Sequence, residues 1–433
     1  MIDFLVKQIK DIKTGGKEVF LRKNTIFFKK TWYIISHFPF YVLAIPLVLI
    51  LRLIKPFILI RIGGLISSRI GHFAGNIELY LCEKDAGINT PKQKYIDLFY
   101  FQYKPICNHQ LARMWKRILY IGPELLLAPI RKVNKLLPSW EVHEIGQNTQ
   151  HDRDVHNLLD QYPHHLEFTD QEKNSGIKGL RELGIPEKAS FVCLFVRDSA
   201  YLNTQFGSGY SYHDYRDCDI QNYVLAAEEL ANLGYYVIRM GAAVNQLLKS
   251  DHPKIIDYAG KGLRTDFMDI YLGYKCEFCI SSSAGWDSVP SCLFRKPTIF
   301  TNVVPIGLLL TFSSKFLLTT RRYIDSKLHR ELTLAEIFDT GVGFFSRASQ
   351  YKNAGITLIE NTPQEIKDVV TEMVELIKYP RYIHNEEDEN LQKCFWEIFP
   401  VHSKDSTFGN AFHGEIKARF SSAYLRNNRH WLS

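Results

Sequence analysis

Residues 277–305, EFCISSSAGWDSVPSCLFRKPTIFTNVVP, read as a strand, a turn of small residues, a helix and a second strand. Phe278 to Ser281 are apolar or small, and residues 286–294 carry apolar side chains at near-helical spacing, which predicts the first strand and the helix. Residues 297–301 follow at once as the second strand. In the turn, Ser281, Ser282, Ser283, Ala284 and Gly285 have side chains small enough for a ligand to reach the backbone. The turn opens a helix, whose free N–H groups and positive dipole end favour a phosphate. A Ser-rich turn at such a junction also serves as plain capping, and the stretch alone leaves both readings open.

At 433 residues and 46% apolar composition, the chain predicts two domains, each with its own core. Its formal net charge of +7 is confined to one end: residues 1–56 hold ten Lys or Arg against three Asp or Glu. The rest is balanced, whereas a nucleic-acid enzyme would carry its basic excess on the folded body. Nucleic acid is therefore not an expected partner; an anionic membrane surface is. The eight cysteines are scattered through apolar runs, as small hydrophobes in a reducing compartment are. Cys276 and Cys279 have the spacing of half a zinc site, but no second pair accompanies them and they fall in an expected strand.

Ile2, Leu5, Val6, Ile9 and Ile12 recur at helical intervals with lysines between them, predicting a basic amphipathic helix over residues 1–30. Residues 32–51 are twenty without formal charge, long enough to cross a bilayer once, but Pro39 and Pro46 interrupt them. If they crossed with the basic side in the cytoplasm, the folded body would lie outside, away from cytoplasmic nucleotides. An in-plane or re-entrant segment on the cytoplasmic face of the inner membrane is expected instead, peripheral or monotopic; a buried hairpin is the alternative.

Strand 56–62, a loop through Gly63, Gly64, Gly71, His72, Gly75 and Asn76, and a helix from Ile77 open a βαβ unit. Strands at 95–101 and 118–121 alternate with helices at 110–116 and 124–137. The polar stretch 147–165, with four histidines and three aspartates, reads as a link rather than a metal cluster. Beyond it come a helix at 170–183, strands at 190–196 and 236–241, helices at 220–233 and 265–271, a strand at 355–360 and a helix at 363–377. The acidic run 386–389 reads as solvated surface. Such alternation means parallel sheets that bind ligands at the carboxyl ends of their strands.

Two α/β domains with glycine turns at strand ends suit group transfer from a nucleotide-activated donor. Arg69, Gly71, His72, Asn76 and Glu78, then Arg197-Asp198, Arg239 to Gly241, Asp257-Tyr258, Thr265 to Asp269 and Ser283 to Pro290 resemble, in order and spacing, a GT-B family of bacterial surface-polysaccharide glycosyltransferases. The resemblance covers about residues 57–380 and departs at Trp286-Asp287. It implies two Rossmann-like domains facing a cleft, preceded by a membrane-associating segment at 1–55. Residues 56–150 would be the acceptor domain, 151–168 the linker, 169–380 the nucleotide-sugar domain and 381–433 tail helices. A glycan or lipid-linked acceptor is implied, with neither cofactor nor metal. The donor contacts expected are Arg197, Arg239, Gly241, Asp266, Asp269, Ser282, Ser283, Ala284, Gly285 and Ser288.

A leaving diphosphate gains charge, which the helix dipole at Gly285 and a cation such as Arg197 or Arg239 would stabilise without metal. Asp217 and Asp219 match a metal-binding Asp-x-Asp, but they precede a helix, where acids cap. His72, on the first glycine loop, is the leading candidate base, with Glu78 and Asp198 in reserve; a histidine at a helix start is also commonly structural. Asp266 and Asp269 can hold sugar hydroxyls or cap their helix. A polysaccharide pyruvyl transferase, or a nonenzymatic membrane-associated glycan-binding or assembly protein, would share this layout.

Overall fold

The computed structural model describes residues 36–146, 153–201, 204, 208–379, 385–401 and 413–432. The amphipathic helix expected over residues 1–30 lies outside them. The chain falls into two compact units: one of Met1–Gly64, Pro91–Gln102 and Leu119–Ile145, the other of Leu65–Thr90, Tyr103–Ile118 and Gly146–Ser433. Residues 65–90 and 103–118, assigned above to the first domain, thus group with the larger unit.

The smaller unit holds a three-stranded sheet in the order β1 (Leu59–Ile66), β2 (Tyr95–Gln102), β3 (Tyr120–Ile121). Strands β2 and β3 run parallel. Its core is Ile62, Tyr100, Leu127 and Ile130, onto which a helix, Ser36–Ile54, lays Ala44 and Val48. The two prolines lie inside this helix without ending it. One stripe of it is therefore protein-facing, while Phe38, Val42, Ile45, Leu49 and Leu53 are exposed.

The larger unit is organised by a seven-stranded sheet. Strands β4 (Phe191–Phe195), β5 (Tyr236–Arg239), β6 (Ile255–Ile256), β7 (Cys279–Ser281), β8 (Thr298–Val303), β9 (Phe316–Thr320) and β13 (Arg419–Phe420) stand in the order β13-β9-β8-β7-β4-β5-β6. All neighbours are parallel. From β4 the chain winds one way through β5 and β6, then returns to wind the other way through β7, β8 and β9. The order reverses between β4 and β7. Both faces are covered, so the central strands β4, β7, β8 and β9 are buried along nearly their whole length rather than on alternate residues. Ile299 and Leu317 pack with the helices Val224–Asn232 and Pro363–Lys378 on one face, and Phe300 and Leu318 pack with helix Glu386–Ile398 on the other. Each such fully buried side chain is worth roughly 1.5–3 kcal/mol.

Helix starts follow local chemistry. Thr169 with Glu172 and Thr362 with Glu365 form reciprocal capping boxes at Asp170–Glu182 and Pro363–Lys378. Helix Asp266–Lys275 runs longer than expected, so Cys276 caps its end instead of lying in a strand. The strand expected at 355–360 is β12 (Ile356–Ile359), but it pairs antiparallel with β10 (Arg322–Asp325) in a separate sheet that also holds β11 (Arg330–Glu331).

Two further expectations change. The segment read as a link is bonded into the larger unit: Asp160 accepts from the hydroxyls of Ser313 and Ser314, and the Asn157 amide donates to the carbonyls of Phe312 and Glu415. The C-terminal segment is no tail. It supplies β13, and the side-chain amide of Gln392 both donates to and accepts from the Phe420 backbone. The acidic run Glu386 to Glu389 forms the first turn of its helix, capped by Asn385, where the dipole favours negative charge.

His413 is buried in this unit. Its Nε2–H donates to the Gly307 carbonyl at 3.2 Å, leaving Nδ1 to accept from the Thr311 hydroxyl at 2.9 Å. Burial, with Arg153 nearby, lowers its pKa from 6.5 to about 4. As pH falls below 6.5 the unfolded chain takes up this proton first, so the stabilisation is full above that pH and lost on the way down to pH 4. The complete loss is on the order of 3 kcal/mol. The urea midpoint is expected to fall over this window, and to fall less steeply in His413→Gln.

Candidate functional site

The reversal between β4 and β7 leaves a crevice at the carboxyl ends of the two strands, the ligand position of open α/β sheets. The turn quoted at the outset lies there. The Ser282 amide donates to the Phe195 carbonyl at 3.1 Å, and the Ser282 hydroxyl accepts from the Arg197 amide at 2.8 Å, so the two strand ends are stitched together. Ser283 holds a left-handed φ of 59°, and its carbonyl accepts from the Arg216 guanidinium.

Within the turn, the amides of Ser282, Ser283 and Ala284 are already engaged. Asp287 reaches back into it, accepting from the Ala284 amide at 2.8 Å and from the Ser281 hydroxyl at 2.6 Å, while the Ser283 amide donates to Ser281 Oγ at 3.0 Å. The expected helix is a four-residue 3-10 turn, Gly285–Ser288, followed by a five-residue π turn, Val289–Leu293. The long dipole expected at Gly285 is therefore replaced by a short, self-capped turn carrying its own carboxylate.

Gly285 faces another backbone. A side chain at Gly71 would place its Cβ 2.9 Å from the Gly285 carbonyl oxygen, and one at Gly285 would lie 3.3 Å from the Gly71 amide nitrogen. Both glycines belong to the larger unit; the loop expected through Gly71, His72, Gly75 and Asn76 is instead helical, a π turn at His72–Asn76 leading into helix Ile77–Asp85, and the contact brings its first turn onto the Ser turn. His72 follows Gly71, half-buried, with Nδ1 3.4 Å from Asn76 Oδ1. With Nδ1–H donating to Asn76, Nε2 keeps the lone pair a base requires.

Other predicted residues take scaffold positions. Arg239 is buried, 3.2 Å from Asp257 and 4.0 Å from Asp198, so its charge is spent inside the unit. Asp198 accepts from the amides of Ala200 and Asn245, bracing two loops. Gly241 packs against Val244 and Ala259. Asp266 accepts from the His109 amide. Asp269 is buried against Arg264 and the Tyr258 hydroxyl, and burial pushes its pKa up to about 6. Asp219 caps the turn at Ile220 through the Gln221 amide, while Asp217 lies 3.1 Å from Arg197. Ser288 packs below the loop, 3.8 Å from where a Cβ on Gly75 would stand.

Glu78 is corrected from base to strut. It is fully buried on helix Ile77–Asp85, taking a 2.6 Å bond from Arg295 and a 3.0 Å bond from His165. The other nitrogen of His165 bonds Asp85 at 2.9 Å. Burial opposes charge on this imidazole, but the carboxylates prevail and raise its pKa. Glu78, Cys82 and His165 place three possible metal ligands within 4.8 Å of one another. However, Arg295 Nη2 is 3.2 Å from Cys82 Sγ, and burial with Glu78 pushes that thiol up to about 12. A guanidinium holds the position an ion would take. Sequence spacing did not reveal this cluster, because Arg295 and His165 are remote from Glu78 along the chain.

No family model matches the chain, and no curated protein matches it in sequence. Among solved structures it is similar to the E. coli ADP-heptose LPS heptosyltransferase II, with 14% identity and a TM-score of 0.42, covering 75% of this chain and all of that one. It is also similar to a family 9 glycosyl transferase from Veillonella parvula, with 9% identity and a TM-score of 0.41, covering 74% and 97%.

Proposed function

We propose that the protein is a GT-B-type glycosyltransferase that moves a sugar from a nucleotide-sugar donor to a cell-surface glycan or glycolipid. The observation that carries this is the crevice between β4 and β7, where a doubly wound parallel sheet presents Arg197, Arg216 and a turn of small residues together. Metal-independent transfer is supported by the engagement of Asp217 with Arg197 and of Asp219 in capping. His72 is the proposed base. A thermal-shift series with UDP, GDP, CMP and phosphoenolpyruvate tests the reading: stabilisation by one nucleotide, unaffected by EDTA, is expected. Stabilisation by phosphoenolpyruvate alone would favour pyruvyl transfer, and by none of them a nonenzymatic protein. With the donor known, His72→Ala should keep nucleotide affinity and lower transfer roughly a hundredfold or more.

Membrane association through helix Ser36–Ile54, at the cytoplasmic face of the inner membrane, belongs to the same proposal. The helix has a mean hydropathy of 2.0 and only 11% of its apolar window is buried. Its stripe at Ala44 and Val48 is held by the smaller unit's core. That favours a helix lying in the interface over one surrounded by lipid. Ile45→Glu with Leu49→Glu, both on exposed positions, should abolish pelleting with anionic vesicles and leave the circular dichroism unchanged. Persistent pelleting would refute this attachment.

A further inference from the structure

Asp287 takes the Ala284 amide and Arg239 is buried on Asp257, so of the two expected cations Arg197 alone remains beside the turn. The larger unit nonetheless gathers cations beside this turn. Arg216 rests on the Ser283 carbonyl, Arg197 leaves β4 next to Ser282, and Arg69 stands two residues before the Gly71 that touches Gly285. Arg347 lies 5.5 Å over the ring of Tyr212, whose centroid is 4.0 Å from that of the His213 imidazole at a 39° tilt. His213 is their common neighbour: Nδ1 is buried and, among the described residues, has no hydrogen-bond partner.

The electrostatics agree with that placement. Burial first, then Arg216, Arg197, Arg69 and Arg347, lower the His213 pKa to about 4, so the imidazole stays neutral among them. On the acidic side, Asp217 is paired with Arg197, and Asp214 and Asp198 act on Asp217. Arg321 is also close but is buried against Glu360 and the Asp217 carbonyl. Arg69 and Arg347 are exposed. Like charges gathered this way raise the energy of the empty site, and an anion that bridges them lowers it. Guanidinium groups suit phosphoryl oxygens, which they bond bidentately.

We propose that Arg69, Arg197, Arg216 and Arg347 form the phosphoryl site at the sheet's switch point and hold the diphosphate of the donor nucleotide. The proposal rests on the donor reading above and replaces the expected contacts from Arg239 and the turn amides. His213 would contribute a neutral imidazole to the ligand edge, its charge suppressed until a bound anion offsets the arginines.

The test is calorimetry on the full chain with inorganic phosphate, inorganic pyrophosphate and the diphosphates of adenosine, guanosine and uridine. Arg69→Gln and Arg347→Gln remove exposed charges without touching the core, and each should weaken binding roughly tenfold or more. Arg347→Lys should recover part of the loss, and Arg330→Gln, on an arginine paired with Glu336, should change nothing. The His213 resonance, assigned through His213→Gln, should titrate at higher pH when pyrophosphate is bound. If a nucleotide binds wild type but Arg69→Gln and Arg347→Gln bind it equally well, this site is refuted while the donor reading stands. If pyrophosphate binds through the arginines and no nucleoside diphosphate does, the anion site stands and the donor reading falls. If no phosphate compound binds the folded wild type, the site is refuted.

Discussion

Arg295→Ala should destabilise the larger unit by about 3–5 kcal/mol, the cost of leaving a buried carboxylate without its cation. Glu78 is fully buried, its Oε1 shared by Arg295 and His165, and its Oε2 has no partner among the described residues. The same guanidinium donates to the carbonyls of Leu159, Tyr162 and Pro163. Removing it therefore strands several acceptors with the carboxylate. Glu78→Gln combined with Arg295→Met should recover more than half of the loss, because no unpaired charge then remains. Urea unfolding of the two variants decides it: a cost below about 1 kcal/mol for Arg295→Ala would show that water compensates the carboxylate.

The second large effect separates two glycines of one helical segment. At Gly71 an added Cβ would meet the Gly285 carbonyl oxygen at 2.9 Å and its Cα at 3.0 Å, backbone atoms that cannot rotate away. Gly71→Ala should therefore cost about 1–3 kcal/mol and displace His72 and the Ser turn together, lowering nucleotide affinity as well. At Gly75 the nearest atoms would be 3.8 Å away, ordinary contact. Gly75→Ala should be neutral or slightly stabilising, since it restricts the unfolded chain. Equal effects of the two substitutions, measured by thermal unfolding and nucleotide titration, would remove the close approach as the reason for Gly71.

The fold of the larger unit was legible because its strands are short apolar runs bounded by turn residues. Residues 190–196 and 236–241 closely bracket β4 and β5, and 297–301 overlaps β8. Four strands were not expected: β9 and β13 of the large sheet, and antiparallel β10 and β11, whose RYID and RE show no apolar run because they lie outside the doubly covered sheet. At the site, small residues located the turn, but composition cannot say which partner makes smallness necessary. Gly285 answers to Gly71, and the Ala284 amide to Asp287, three-dimensional facts without a local signature. For the cations, nearness along the chain misled. Arg239 ends a strand and turns inward, whereas Arg69 and Arg347 approach from distant segments.

Because β13 completes the sheet against β9 and Trp431 is buried in the same core, the larger unit cannot close without residues 419–431. Until residues 419–431 have left the ribosome, the open edge of β9 presents unpaired amides and carbonyls beside bare aromatic surface. That interval is when such a chain is most exposed to wrong pairing. A product broken off before this segment keeps an adhesive edge, while one that holds it seals the sheet.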